Sequence, residues 1–235
     1  MTSVELDRVK FRYEDMRMAF TLRVEPEECL AVIGASGAGK TTLISLIAGF
    51  EQPQSGRVLI DERDVTRFAP AARPVTTLFQ DHNLFAHLNA AANVGLGIHP
   101  GLKLSVADRM RVEQALAQVG LDGLERRLPG QLSGGERQRV ALARSLVRNR
   151  PVLLLDEPFA ALGPALRYEM LDLVHRLWRS ERLTVVLVSH QPEDARRIAS
   201  RVAFVHEGRV LAVGPVKDLL DAAPIPEIAA YLGRD

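Results

Sequence analysis

A glycine-rich run near the start of the chain matches the phosphate-binding pattern G-x-x-x-x-G-K-[ST]. The run reads Gly34-Ala35-Ser36-Gly37-Ala38-Gly39-Lys40-Thr41, and Thr42 follows it. Glycines let backbone N–H groups point into one concavity, and the N-terminus of a following helix adds partial positive charge where a phosphate binds. Lys40 would then reach the β- and γ-phosphates of a nucleotide, and the Thr41 hydroxyl would bind Mg²⁺. We predict a nucleoside triphosphate site at residues 34–42; the alternative is a glycine turn with a surface lysine.

Two carboxylates follow an apolar run in the second half of the chain. Val152-Leu153-Leu154-Leu155 leads directly into Asp156 and Glu157. Such runs are typical of buried parallel strands, whose carboxyl ends face the ligand edge of the sheet. At that edge Asp156 would hold Mg²⁺ through its water shell, and Glu157 would polarise an attacking water. The alternative is a solvent-exposed strand end that carries two unrelated acids.

A third candidate site lies between these two motifs. Ser133 is followed three residues later by Glu136, the spacing of a capping box at the start of a helix. The box does not explain Gly134 and Gly135, because glycine costs backbone entropy in a first helical turn. Close approach of another group to the backbone would explain both glycines. We therefore predict a second anion site at this helix N-terminus, with simple capping as the alternative.

Strands and helices must position these residues, and the pattern of apolar residues predicts where they lie. Strands are predicted near 4–9, 20–24, 29–33, 57–60, 75–79, 152–155, 184–188 and 202–205, and helices near 40–48, 164–179 and 192–199. Turn residues between the first strands indicate an antiparallel β layer, and the later alternation of strands with helices indicates a parallel sheet. We predict an α/β fold with a mainly parallel sheet, an N-terminal antiparallel β layer and an inserted helical subdomain near 88–148, all in one domain spanning 1–235.

Composition restricts the class of protein further. The chain has 235 residues, of which 47% are hydrophobic and 25% charged, as in ordinary globular domains and unlike disordered, collagenous or disulfide-framework chains. Thirty Lys and Arg against 29 Asp and Glu leave a formal net charge of +1, so no global field favours nucleic acid.

The single cysteine, Cys29, lies in an apolar run and is predicted to be a core residue. The sequence has no secretory signal pattern and no apolar run near the ~18 residues of a membrane span, so we expect a cytoplasmic protein that reaches a membrane through a partner.

Taken in order, the motifs resemble those of the ATP-binding cassette family. The family signature is similar to Leu132-Ser133-Gly134-Gly135-Glu136, which Arg137-Gln138-Arg139 follows here. The resemblance covers nearly the whole chain and implies a P-loop NTPase core. It also implies that Tyr13 stacks on adenine, that Gln80 senses Mg²⁺ and water, and that His190 contacts the γ-phosphate. The plainer alternatives are a strand aromatic, a polar loop residue and a strand-end histidine.

The resemblance implies ATP hydrolysis coupled to transport, with ATP and Mg²⁺ as cofactors. The implied catalytic residues are Lys40, Gln80, Glu157 and His190, and the implied metal-binding residues are Thr41, Gln80 and Asp156. Each site would be completed by Ser133, Gly134 and Gly135 of a second copy, which implies a homodimer. No nucleic-acid partner is expected.

One position departs from the family pattern. In the family, the stretch after the paired acids usually ends in a Leu-Asp pair, whereas Leu162 is followed here by Gly163. Before Pro164, glycine is only a few tenths of a kcal/mol worse than aspartate as a helix N-cap, so we expect the fold to tolerate it. In the family, this carboxylate links two ATP sites across a dimer. The glycine at this position therefore affects that link.

Within the family, the stretch 73–104 looks most like ATP-binding subunits of bacterial thiamine importers, and the short stretches 158–159 and 164–167 are similar too. That resemblance implies a peripheral protein on the cytoplasmic face of the inner membrane, with a separate permease and an extracytoplasmic solute-binding protein. Leu84 and Phe85 are candidates for contact with the permease, or for a loop packed into the core. The alternatives are an importer of another small solute, a soluble cassette ATPase of DNA repair or translation, and a nucleotide-binding module with little turnover.

Overall fold

The computed structural model describes residues 2–79 and 83–234, and these form one mixed sheet with helices on its faces. The strands are β1 (Val4–Tyr13), β2 (Met16–Val24), β3 (Cys29–Ile33), β4 (Ser55–Ile60), β5 (Arg63–Asp64), β6 (Val75–Leu78), β7 (Val152–Asp156), β8 (Thr184–Val188), β9 (Arg201–His206) and β10 (Arg209–Pro215). The helices are α1 (Lys40–Ala48), α2 (Ala90–Gly95), α3 (Val106–Gln118), α4 (Gly134–Leu146), α5 (Pro164–Ser180), α6 (Pro192–Ile198), α7 (Val216–Leu220) and α8 (Pro226–Tyr231). No helix in the described part of the chain is long and apolar enough to cross a membrane.

The strand order is β5-β4-β1-β2-β10-β9-β3-β8-β7-β6. Strands β9, β3, β8, β7 and β6 pair in parallel, whereas β1, β2, β4 and β5 pair antiparallel. The predicted α/β fold with a mainly parallel core and an N-terminal antiparallel layer is therefore confirmed. The two layers belong to one sheet, because β10 pairs antiparallel with β9 and, through Arg209 and Ala19, parallel with β2.

The burial of each strand follows its place in the sheet. Strand β2 alternates, with Met18, Phe20, Leu22 and Val24 buried and the residues between them exposed, as expected for a strand with one solvated face. Every residue of β3, β7 and β8 is buried, as expected for central parallel strands with helices on both faces. Cys29 lies in β3 and is completely buried, which confirms its predicted place in the core.

Several predicted boundaries were wrong, and four of the labelled elements were not predicted: the short strand β5, and β10, α7 and α8 near the end of the chain. Strand β1 continues to Tyr13 and β2 begins at Met16, because these residues pair across a tight hairpin. Strand β10 and the helices α7 and α8 follow the last predicted strand. Strand β10 alternates only between exposed and half-buried residues and both residues of β5 are exposed, so neither strand has the buried face that the predicted strands have. Helices α2, α3 and α4 lie in the stretch that was predicted to be helical.

Candidate functional site

The glycine-rich loop leaves the carboxyl end of β3 and enters α1, the context that the pattern requires. Gly34 has φ 149°, and a Cβ there would lie 2.1 Å from the carbonyl oxygen of Val205. Gly39 is the N-cap of α1 in the left-handed conformation, with φ 104°. Only glycine fits both positions without strain, so the local fold of the loop depends on these two residues.

Lys40 begins α1 and folds back over the loop. Its Nζ donates hydrogen bonds to the carbonyl oxygens of Gly34 and Ala35, each at 2.9 Å. Burial lowers the pKa of Lys40, and the carboxylates of Glu157 and Asp156 oppose that shift. Among the described residues, the ammonium contacts these two carbonyls and the Glu157 carboxylate, and it can exchange the carbonyls for phosphate oxygens.

Asp156 ends β7 next to Thr41, as the apolar strand predicted. The Thr41 Oγ1 donates to the Asp156 Oδ1 at 3.2 Å, and the Asp156 carboxylate is buried. Burial raises the pKa of Asp156, and the Thr41 hydrogen bond opposes the increase. A hydroxyl and a carboxylate are oxygen groups of the kind that Mg²⁺ binds, directly or through its water shell. The two neighbouring side chains therefore fit a Mg²⁺ ion in their chemistry.

Glu157 follows Asp156 in the left-handed region of backbone conformation, with φ 45°. Its N–H donates to the carbonyl oxygen of Val188 at 3.1 Å, which ties it to the end of β8. The carboxylate lies between two of the predicted site residues: its Oε1 is 3.9 Å from Lys40 Nζ and its Oε2 is 3.0 Å from His190 Nδ1. The carboxyl ends of β3, β7 and β8 thus bring Lys40, Thr41, Asp156, Glu157 and His190 into one cluster.

Other predicted residues lie outside this cluster. Tyr13 ends β1 with 57% of its surface exposed, and no hydrogen bond or ion pair of the described residues joins it to the loop. Ser133, Gly134 and Gly135 lie at the N-terminus of α4, where they too make no such link to the loop. Gln80 falls outside the described residues.

The N-terminus of α4 carries the capping box that the sequence indicated. The Ser133 N–H donates to Glu136 Oε2 at 2.6 Å, and the Glu136 N–H donates to Ser133 Oγ at 3.3 Å. A Cβ on Gly135 would lie 2.8 Å from the Leu166 side chain, so packing within the chain accounts for that glycine. A Cβ on Gly134 would have only Arg137 within 4 Å, at 3.9 Å. The backbone of Gly134 is therefore open to approach.

The sequence did not predict a buried polar network around Ser189, the residue before His190. The Ser189 Oγ donates to Asp194 Oδ2 at 2.6 Å, and the same carboxylate forms an ion pair with Arg167. The Arg167 N–H donates to the Gly163 carbonyl at 3.0 Å. This network connects the N-terminus of α5 to the residue before His190. In the sequence, only the position of Asp194 in the first turn of α6 pointed to such a role.

Comparison with known proteins places this site in a family. The model of the ABC transporter family matches residues 18–160. A thiamine import ATP-binding protein of Chelativorans sp. (strain BNC1) is 54% identical over 98% of this chain and 94% of its own length. A protein of the same name from Yersinia pestis is 51% identical over 94% of this chain and 93% of its own length.

A solved structure shows the same fold. The ATP-binding cassette MJ0796, described as a dimeric post-hydrolysis state bound to ADP and Pi, is 26% identical with a TM-score of 0.76. The match covers 92% of this chain and 99% of that one. The site geometry, the family match and the extent of these similarities agree, and the chain belongs to the ABC transporter family.

Proposed function

We propose that this chain is the ATP-hydrolysing subunit of a bacterial thiamine importer, built as a single ATPase domain over 1–235 with a helical subdomain near 88–148. The observation that carries the proposal is the convergence of Lys40, Thr41, Asp156, Glu157 and His190 at one edge of the sheet. That set contains a phosphate-binding cation, two magnesium ligands and a base, which are the groups that phosphoryl transfer to water requires.

Nucleotide binding rests on the loop before α1. The residues proposed to bind ATP are Tyr13, Gly34, Ala35, Ser36, Gly37, Ala38, Gly39, Lys40, Thr41 and Thr42. Backbone N–H groups and the N-terminus of α1 attract the phosphates, Lys40 contacts the β- and γ-phosphates, and Tyr13 offers an exposed ring for the adenine. Thr41, Asp156 and Gln80 would hold Mg²⁺, which neutralises charge on the phosphates when bound.

Hydrolysis requires a group that accepts a proton from water. Water attacks the γ-phosphorus, the bond to the β-phosphate oxygen breaks, and ADP and phosphate leave while the proton passes to the Glu157 carboxylate. His190 hydrogen-bonds Glu157, which supports a role in fixing the direction of that carboxylate, and it is proposed to contact the γ-phosphate. Gln80 is proposed to orient the water.

The site of one chain is proposed to be completed by a second copy. Among the residues that the structure describes, no hydrogen bond or ion pair joins the N-terminus of α4 to the phosphate loop, although its open Gly134 backbone suits a phosphate. Ser133, Gly134 and Gly135 of the second copy would cover the γ-phosphate, so that ATP lies between two chains. Binding and hydrolysis would then close and open a homodimer.

A cleft between the end of α1, β6 and α4 is proposed to receive the membrane permease. Its volume is about 400 Å³, and its walls include Phe50, Phe79 and Arg144. Phe85 lies nearby and is half exposed. The buried Asn93 side chain holds Phe85 in position through hydrogen bonds with the N–H and the carbonyl oxygen of Phe85. These side chains offer an apolar contact to a short helix of the permease.

Leu84 does not contribute in the same way as Phe85. It is half-buried and packs against the core beneath the helical region, which matches the alternative of a loop packed into the core. The proposed permease contact therefore rests on Phe85.

The solute is inferred from the relatives, which carry the name of thiamine import proteins. Their high identity over nearly the whole chain supports the same assignment here. The assembly would include the permease and an extracytoplasmic solute-binding protein, with this chain at the cytoplasmic face of the inner membrane.

Uptake of labelled thiamine tests the proposal. The gene is deleted in a strain unable to make thiamine, and the deletion is complemented with the wild-type chain or with Lys40→Ala. We expect uptake to be lost in the deletion, restored by the wild type and not restored by Lys40→Ala, because the variant lacks the only side-chain cation of the loop. Normal thiamine uptake with loss of another solute's uptake would keep the ATPase and reject thiamine.

A further inference from the structure

The last segment of the chain packs against the edge of the sheet that carries the site. Helices α7 and α8 bury Val216, Leu219, Leu220 and Ile228 against Ile33 and Phe204, among others. Ile33 directly precedes Gly34, the first residue of the phosphate loop. The C-terminal segment therefore lies beside the start of the loop rather than at a distant surface.

Tyr231, the last residue of α8, reaches from this segment to the site. Its hydroxyl donates a hydrogen bond to the carbonyl oxygen of His190 at 2.7 Å. Its ring lies 5.5 Å from the ring of Phe204, which holds the side chain in place. Burial raises the pKa of Tyr231 to about 12, opposed by a hydrogen bond with the Gly34 backbone, so the phenol keeps its proton at neutral pH.

The Tyr231 hydroxyl contacts the main chain of His190, and the position of that main chain sets the direction of the His190 ring. The preceding residue, Ser189, is fixed by its own N–H bond to the Val32 carbonyl and by the Asp194 carboxylate. The His190 side chain is 44% exposed, and within residues 2–79 and 83–234 its ring hydrogen-bonds Glu157 alone. Tyr231 therefore adds a direct contact to the His190 main chain, which the Ser189 contacts hold only through the preceding residue.

We propose that Tyr231 is a positioning residue, which fixes the main chain of His190 and so aligns the His190–Glu157 pair for hydrolysis. The inference rests on the proposed function. It makes the C-terminal segment a part of the ATPase site that acts through His190.

ATP hydrolysis by Tyr231→Phe provides the first test, because the variant removes only the hydroxyl. In the full chain assembled with its permease, we expect kcat to fall roughly three- to tenfold while KM for ATP stays within twofold. Tyr168→Phe is the matched control: Tyr168 is partly exposed, and its ring contact with Arg197 survives the change. A lower melting temperature with unchanged kcat and KM would mean a structural role only and would overturn the proposal.

Histidine resonances provide a second test that needs no ATPase activity. In histidine-labelled full chain, the His190 signal is assigned by its absence in His190→Gln. We expect Tyr231→Phe to shift or broaden this signal and to leave that of His175, which contacts Trp178, unchanged. An unchanged His190 signal would overturn the positioning role. Absence of ATPase activity in the wild-type assembly would refute the proposed function, and the His190 signal would then decide the inference alone.

Discussion

Glu157 has an energetically unfavourable backbone conformation, and its carboxylate lies within the candidate site. Its left-handed conformation costs an ordinary residue about 1–3 kcal/mol, and such strain persists only where the surrounding structure enforces it. Here the bond from the Glu157 N–H to Val188 enforces it, and the result is a carboxylate between Lys40 and His190. The strain therefore supports the assignment of Glu157 as the base.

Glu157→Gln tests that assignment directly. The amide keeps the size of the side chain but cannot accept a proton from water, so we expect ATP binding to persist and hydrolysis to fall by about 100-fold or more. Phosphate release and binding of a fluorescent ATP analogue measure the two properties. Glu62→Gln is the control, because Glu62 also has a positive φ and is exposed in the turn between β4 and β5. Hydrolysis at the parental rate would remove Glu157 from the role of base.

The residues of the cluster were predictable because each lies in a short pattern. Lys40 and Thr41 follow from the glycine spacing, and Asp156 and Glu157 follow from the apolar run before them. Tyr231 was not predictable, because its partner His190 is 41 residues away and neither residue type nor spacing marks the pair. Local patterns show which residues can bind phosphate, whereas contacts between distant segments appear only in the folded chain.

At the scale of elements, Arg73 secures the far end of α1. It is completely buried, and its guanidinium donates to the carbonyls of Leu46, Ile47, Thr66 and Phe68. The carbonyls of Leu46 and Ile47 lie in the last turn of α1 and would otherwise have no intrahelical donor. Burial lowers the pKa of Arg73. One side chain thus joins the helix that follows the phosphate loop to the segment before β6.

Arg73→Leu should destabilise the protein strongly. Several buried carbonyl groups lose their donor at once, so we expect the free energy of unfolding to fall by about 3 kcal/mol or more. Thermal or urea unfolding measures the loss. Arg67→Leu is the control, since Arg67 is exposed and such substitutions usually change stability by less than about 0.5 kcal/mol. Equal stability of the two variants would show that the Arg73 network contributes little.

At the start of α5, by contrast, a side chain can be added without disturbing the fold. Gly163 is the N-cap, with φ −63° and ψ 157°, and a Cβ there would meet no atom within 4 Å. This confirms the predicted cap before Pro164. Aspartate is therefore sterically acceptable at the position where the family usually has it.

Gly163→Asp should raise ATPase activity or its coupling to transport, with stability changed by less than about 0.5 kcal/mol. Activity should rise because the variant restores a carboxylate next to the proposed dimer contact. Stability should change little because glycine is already nearly as good a helix cap as aspartate. Gly163→Asn caps equally well without charge, so it should leave activity near the parental value. Lower activity of a well-folded Gly163→Asp would indicate that this chain compensates for the glycine elsewhere.

At the scale of the whole molecule, the candidate ATP site is divided between two surfaces. The described part of one chain shows no hydrogen bond or ion pair between the phosphate loop and the N-terminus of α4. The sequence could predict both surfaces because each has its own motif. It could not show that they lie apart within one chain, since that depends on how the helical region packs against the sheet.

Gly134→Glu tests whether the N-terminus of α4 faces a partner's phosphate. The position has space for a side chain, and a carboxylate in a first helical turn favours the helix, so we expect an unchanged melting temperature. In the Glu157→Gln background, ATP should convert the parent from monomer to dimer, measured by light scattering after size exclusion. The added carboxylate should prevent that dimer, because it places negative charge against the γ-phosphate. Gly134→Gln has the same bulk without charge and should dimerise better than Gly134→Glu; equal ATP-dependent dimerisation of Gly134→Glu and its parent would mean that Gly134 does not face the nucleotide.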